Sequence, residues 1–237
     1  DRVVIFSRVK RLAPQLQVLN CIPGLVFLEH DAYQNYMPAS KYRGVYSRLY
    51  RRLPSCRALV SGAVVARKML AEGIDTVFVS KGYDEQMLHN TGVERDIPIG
   101  FLGSLKSTEY AERKAMLESL SKRTGMLVTR TKSGEEYLQT LNRIRIFVSA
   151  DIGMNEFMIK NYEAMACGCV LLAWSQGEED RLLGFEDMHN TVFYRSADEA
   201  VEKIKLLQSD PELAERIARN GQEFAQSRYS FARVGQA

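Results

Sequence analysis

Apolar residues in this chain fall in short blocks, and segments of helical period separate the blocks from end to end. The blocks at residues 3–6, 24–28 (GLVFL), 58–60 and 76–79 are too short for helices. They are also rich enough in β-branched and aromatic residues to read as strands. Between them the pattern predicts helices ending near Leu19, over 40–53, and from a Ser61 cap to Gly73. Asp96-Ile97-Pro98 reads as a linker. A second series then begins with a strand at 99–102, a helix from about Thr108 to Arg123 and a strand at 126–129. A helix over 135–141 and a strand over 145–149 come next. After the helix of residues 155–167 come a strand at 170–174, a polar loop over 175–190 and a strand at 191–194. Three amphipathic segments follow Ala197, two of them divided by Asp210-Pro211, a cap followed by a proline at the first helical position. Strict strand–helix alternation argues for parallel βαβ units. The expected architecture is α/β, with two doubly wound parallel-sheet units in tandem over residues 1–96 and 97–237.

The stretch NEFMIKNYEAMACGCVLLAW, residues 155–174, carries the most chemistry. Glu156, Lys160 and Glu163 lie at i, i+4 and i+7, a spacing that places all three on one helix face. Gly168 supplies the stop, and an apolar strand follows at once. A helix placed this way presents its N-terminus at the carboxyl edge of a parallel sheet, where α/β folds hold phosphates and sugars. The same spacing also fits a plain surface ion pair.

Composition narrows the classes. No apolar run approaches the roughly 20 residues that span a bilayer. Four cysteines with no C-x-x-C pair, and three histidines, argue against structural zinc and suit a reducing cytoplasm. Residues 1–96 hold 14 Lys/Arg against 9 Asp/Glu, whereas 97–237 hold 18 against 20, as expected of two units with different partners. The G-x-G-x-x-G, P-loop and G-x-S-x-G signatures are absent from the sequence. The chain opens at Asp1 rather than Met and its first unit is short, so the expectation is that opening strands of that unit are missing.

Candidate sites follow from strand ends. Gly103-Ser104 comes directly after the 99–102 strand, where backbone N–H groups can approach an anion, and Lys106 and Arg113 could neutralise a diphosphate. The alternative is a plain turn with solvated charges. Glu29-His30-Asp31 follows the second strand. There His30 beside Asp31 could act as a base, hold a sugar, or simply be a loop histidine. Lys81 is a weaker candidate of the same kind. The loop acids Glu178, Glu179, Asp180 and Glu186 read as solvated charges, and His189 either lines a cleft or is exposed. Residues 38–57 bring Lys41, Arg43, Arg48, Arg51, Arg52 and Arg57 with no acid, interleaved with Tyr42, Tyr46 and Tyr50. That stretch fits a core-facing stripe with a basic outer face, an anionic membrane or lipid-acceptor surface, or, least well, nucleic acid.

Taken in order, IGFLGS with a downstream Arg113, EAMACGCVLLAW, the loop SQGEEDRLLGFEDMHNTVFYRSADEAVEKI and the tail PELAERIARNGQEFAQSRYSF resemble the C-terminal half of a GT-B glycosyltransferase. The likeness is to the group 1 enzymes, and among them to the spore-maturation type. It covers residues 97–237 well and 1–96 loosely. The resemblance implies two Rossmann-like domains and a metal-independent, retaining hexosyltransferase-like activity with no cofactor. The sugar would pass from a nucleoside-diphosphate donor to a saccharide or lipid-linked acceptor, in the bacterial cytoplasm or at the inner face of its membrane, with no nucleic acid involved. It further implies donor contacts at Gly103, Ser104, Arg113, Asn155, Lys160, Glu163 and His189, with Glu163 on the ribose. His30, Asp31 and Glu156 would serve catalysis. The E-x7-E pattern of retaining members is shifted here: Asn155 stands eight before Glu163, and Glu156 seven before it. A GT-B epimerase and a non-catalytic GT-B subunit that binds a sugar nucleotide or a partner enzyme are the competing readings.

Overall fold

The computed structural model describes residues 2–105 and 111–236. By contacts the chain divides into two compact units, one of Asp1–Lys81 with Gly153–Phe157, the other of Gly82–Ile152 with Met158–Ala237. The first unit is therefore discontinuous in sequence.

Its sheet is parallel, in the order β1 (Val3–Ile5), β2 (Leu25–Glu29), β3 (Arg57–Val60), β4 (Thr76–Phe78). β2 is apolar and buried on both faces, as a central parallel strand requires, and its last residue Glu29 pairs in register with Val60. Short helices α1 (Val9–Leu12) and α2 (Leu16–Leu19) join β1 to β2. The predicted helix over 40–53 shrinks to α3 (Val45–Tyr50), because Gly44 at φ 68° breaks the helical run. α4 (Ala63–Ala71) starts from Gly62, not from a Ser61 cap, since the Ser61 hydroxyl is turned to Glu156 and the Glu29 carbonyl.

The second sheet runs β6 (Leu127–Thr129), β5 (Ile97–Leu102), β7 (Ile144–Ser149), β8 (Val170–Trp174), β9 (Val192–Tyr194), all parallel. Ile97 and Pro98, read as linker, form the start of β5. The strand order reverses at β5, and such a switch point opens a crevice beyond the carboxyl ends of β5 and β7. Helices α5 (Ala111–Thr124) and α9 (Ala197–Ser209) pack together, as do α7 (Ile159–Ala166) and α10 (Pro211–Arg228). α6 (Glu135–Arg143) precedes β7, and α11 (Phe231–Val234) ends the chain. Asp210 caps α10 by accepting the Leu213 N–H at 2.9 Å, with Pro211 at the first position as read. The loop expected over 175–190 contains a short helix, α8 (Glu178–Leu182).

Candidate functional site

The signature helix begins later than its spacing suggested. Gly153 (φ 72°) and Asn155 (φ 51°) both take left-handed backbone, which a helix cannot run through. α7 therefore starts at Ile159. The Met158 N–H is held by Asp151 Oδ2 at 3.4 Å, and Asn161 in the first turn donates to the same oxygen at 2.9 Å. Asp151 also accepts from Ser149 Oγ and from the Arg113 guanidinium. Lys160 and Glu163 thus share the helix, but Glu156 does not join them on one face.

Lys160 and Glu163 open onto a pocket of about 730 Å³ at the switch point. Leu102, Gly103 and Ser104 close it at the end of β5, and Arg130, Thr131, Lys132 and Ser133 at the end of β6. A Cβ on Gly103 would stand 2.7 Å from the Phe101 ring and 3.4 Å from Lys160 Cε, so glycine keeps the backbone open here. Tyr137 of α6 donates its hydroxyl to Glu163 Oε2 at 2.6 Å, and its ring lies 4.5 Å below the Lys160 ammonium. Burial, reinforced by the Glu163 carboxylate, pushes the Tyr137 phenol far above its ordinary range, so it stays a donor. Burial lowers the Lys160 pKa from its usual value, Arg113 and Arg130 add to that, and Glu163 opposes it. The pocket therefore offers one carboxylate anchored at one oxygen, together with cations at Arg130, Lys132 and Lys160. Phosphate oxygens want cations and backbone N–H groups, and a vicinal diol wants a carboxylate acceptor. This pocket supplies the cations and the carboxylate, while the Gly103 N–H is spent on the Thr129 carbonyl at 2.9 Å.

The other predicted residues lie elsewhere. Arg113 is buried, held to Asp151 and, at 3.4 Å, to the Ala150 carbonyl, and among the described residues it is not one of those that line the pocket. His189 is exposed, with its ring 3.4 Å from the Asn220 amide, and does not line the pocket. Lys106 lies outside the described residues. Asn155 is exposed in the segment that groups with the first unit, its amide 3.5 Å from the Gly153 carbonyl. Glu156, in the same segment, is 1% exposed and forms a 2.7 Å ion pair with Lys81, itself 5% exposed, and accepts from Ser61. Burial raises the Glu156 pKa, while Lys81 and Ser61 pull it down. Lys81, a weak candidate for ligand contact, is thus a buried counter-charge.

In the first unit, His30 and Asp31 line a separate cavity of about 540 Å³ with Phe6, Arg8, Arg11 and Glu29. His30 packs edge-on to Phe6 at 5.2 Å. Burial, then Lys81, lower its pKa, so the ring is neutral near pH 7 and able to accept a proton. Glu29 escaped the sequence reading as a separate group. It is 4% exposed, accepts the Asp31 N–H at 3.0 Å and the Tyr50 hydroxyl at 3.1 Å, and burial lifts its pKa to about 7.

One further expectation changes, and the basic stretch takes the first of its readings. Glu179 and Asp180 are buried rather than solvated, and Asp180 ties the loop by accepting from Ser175, Gln176 and Gly177. The basic stretch is partly neutralised, because folding brings Glu72 to Arg51 at 2.8 Å and Asp75 to Arg57 at 3.0 Å. Tyr46 and Tyr50 face the core, and Arg48 and Arg52 stay exposed. Arg130, Lys132 and Tyr137 were missed, although Arg130 and Lys132 follow a predicted strand just as Gly103 does. Among the described residues, no cluster of three His, Cys, Asp or Glu could hold a metal ion, and no helix is long and apolar enough to cross a membrane.

Against known proteins, the sequence profile described as glycosyl transferase-like matches residues 85–237. No curated protein matches the chain in sequence. Among solved structures, HepE from Anabaena in complex with UDP and glucose superposes with a TM-score of 0.75 at 15% identity, over 98% of this chain and 75% of that one. Sucrose-phosphate synthase from Thermosynechococcus elongatus gives 0.70 at 13% identity, over 98% and 71%. A glycosyltransferase from Rickettsia africae gives 0.67 at 11% identity, over 100% and 74%. At these identities the likeness establishes the GT-B fold.

Proposed function

The chain belongs to the glycosyl transferase-like family, and from that premise we propose that it moves a sugar from a nucleoside-diphosphate donor to a saccharide or lipid-linked acceptor. The observation that carries this reading is the pocket at the switch point, where the Glu163 carboxylate stands among cations with a glycine-opened strand end beside it. Glu163 would accept both ribose hydroxyls, with Tyr137 fixing its rotamer. Lys160 and Arg130, beside the strand end that Gly103 and Ser104 keep open, would face the diphosphate and stabilise the charge that builds on it as the glycosidic bond breaks. Those cations do the work a metal would otherwise do, so the reading is metal-independent transfer that survives EDTA. Lys160 three residues before Glu163 also favours the spore-maturation branch of the group 1 enzymes.

The acceptor is assigned to the cavity of the first unit, where neutral His30 can take a hydroxyl proton and Asp31 can stabilise the resulting imidazolium. Glu156 is not available as a free carboxylate near the sugar, so a retaining outcome would have to rest on other groups. HepE, of the same fold, was solved with UDP and glucose, which supports a uridine donor here as the first to test. Exposed Arg48 and Arg52 keep a peripheral, anionic membrane contact within this reading.

A screen of thermal stabilisation by UDP, GDP, ADP, CMP and dTDP sugars tests the donor pocket. One nucleotide series should stabilise the chain, and stabilisation by none would remove the assignment. Product analysis then separates transfer from its rivals. Free epimerised sugar would point to an epimerase, whereas binding without turnover would point to a non-catalytic subunit, a reading that the locked Glu156 favours.

A further inference from the structure

A second cavity, of about 370 Å³, lies in the second unit at the opposite end of its sheet. Arg95 precedes β5, Arg145 is the second residue of β7 and Val170 the first of β8, so this cavity adjoins the strand starts rather than their carboxyl ends. One face of α10 walls it with Ala214 and Ala218, residues too small to fill the space. Arg95 is fixed in place: its guanidinium donates to the Ile144 and Cys167 carbonyls, both at 2.6 Å. Arg145 and Arg219 differ. Both are exposed, and neither makes an ion pair or side-chain hydrogen bond among the described residues. Glu215 is the acid among the lining residues, against three arginines.

Two unengaged guanidinium groups on one concavity, with a third held rigidly beside them, form a recognisable arrangement. Each guanidinium presents a planar fork of N–H donors that matches phosphate oxygens two at a time. The volume is within the ordinary range for small-molecule sites, about 300–1,000 Å³, which leaves room for more than a bare anion. We propose that this cavity binds a small phosphate monoester, with Arg145 and Arg219 gripping the phosphate and Arg95 supporting the charge from the wall. The site is separate from the pocket of Gly103 and Glu163 and does not depend on the donor reading.

The test uses the full chain, with ribose 5-phosphate and inorganic phosphate as probes in isothermal titration calorimetry. Ribose 5-phosphate should bind with a Kd at or below about 1 mM. The double variant R145A/R219A should weaken it at least about tenfold, and both side chains are exposed and unpaired, so an unchanged Tm confirms an intact fold. E215Q should tighten binding, because it removes the acid from the wall. K160A, in the other pocket, should leave binding unchanged. The proposal is overturned if nothing binds at about 10 mM, or if K160A abolishes binding while R145A/R219A does not. Equal binding of citrate would also overturn it, since that would mark a general anion sink.

Discussion

Glu163 stands in a pocket otherwise rimmed by Arg130, Lys132 and Lys160, with one oxygen tied to Tyr137. Hydrogen bonds to a charged group contribute about 1.5–3 kcal/mol each, so Glu163→Gln should weaken nucleotide binding by about 10- to 100-fold. Because that contact is made equally in the ground and transition states, KM should rise while kcat changes little. Tyr137→Phe should give a loss of only about three- to tenfold, as befits one bond that orients a rotamer. Steady-state kinetics of both variants check this, and a fall in kcat alone would contradict it. Glu29 makes a different prediction. Its carboxyl titrates near 4.5 in the unfolded chain and at about 7 when folded, so between those pH values the native state holds the extra proton. The stability this group contributes is therefore complete below pH 4.5, falls as pH rises to about 7, and is flat beyond. The loss approaches about 3 kcal/mol. Urea melts at pH 5 and pH 8 should show it in the wild type and show far less of it in Glu29→Gln.

At the scale of elements, α7 shows how a local pattern is overridden. Its apolar spacing, its stop and the strand after it were legible, and Gly168 does end it at φ 79°. A Cβ there would strain the left-handed backbone and press on Asn90 Nδ2 at 2.5 Å and Arg95 Nη2 at 2.8 Å. Gly168→Ala should cost about 1–2 kcal/mol, read as a lowered Tm. The start of α7 was not legible, because an i, i+4, i+7 count cannot see left-handed residues at Gly153 and Asn155 or a carboxylate at Asp151 waiting for the first turn. The same limit explains Arg113 and the basic stretch. Sequence spacing gave both their charges, but Asp151, Glu72 and Asp75 reach them only through tertiary folding. The parallel βαβ alternation and a binding position at the Gly103 strand end were easier, since both are carried by local patterns of a few residues.

For the molecule as a whole, the ion pair of Lys81 with Glu156 belongs to the first unit although the two residues are far apart in sequence. Removing one partner leaves a buried charge without compensation. Lys81→Met alone should cost about 3–5 kcal/mol, whereas Lys81→Met with Glu156→Leu should recover most of that. Denaturation of the two variants separates an ion pair that stabilises from one that merely avoids a penalty, and equal losses would refute the pairing. The separation also has a consequence in time. Ser61 and Glu156 are 95 residues apart, and a ribosome adds roughly 5–20 residues each second. Lys81 comes only 75 residues before Glu156, so for roughly 4–15 seconds the nascent first unit has its lysine and serine in place and no carboxylate to meet them. It can then only wait as an incomplete intermediate, and it closes after much of the second unit has already emerged.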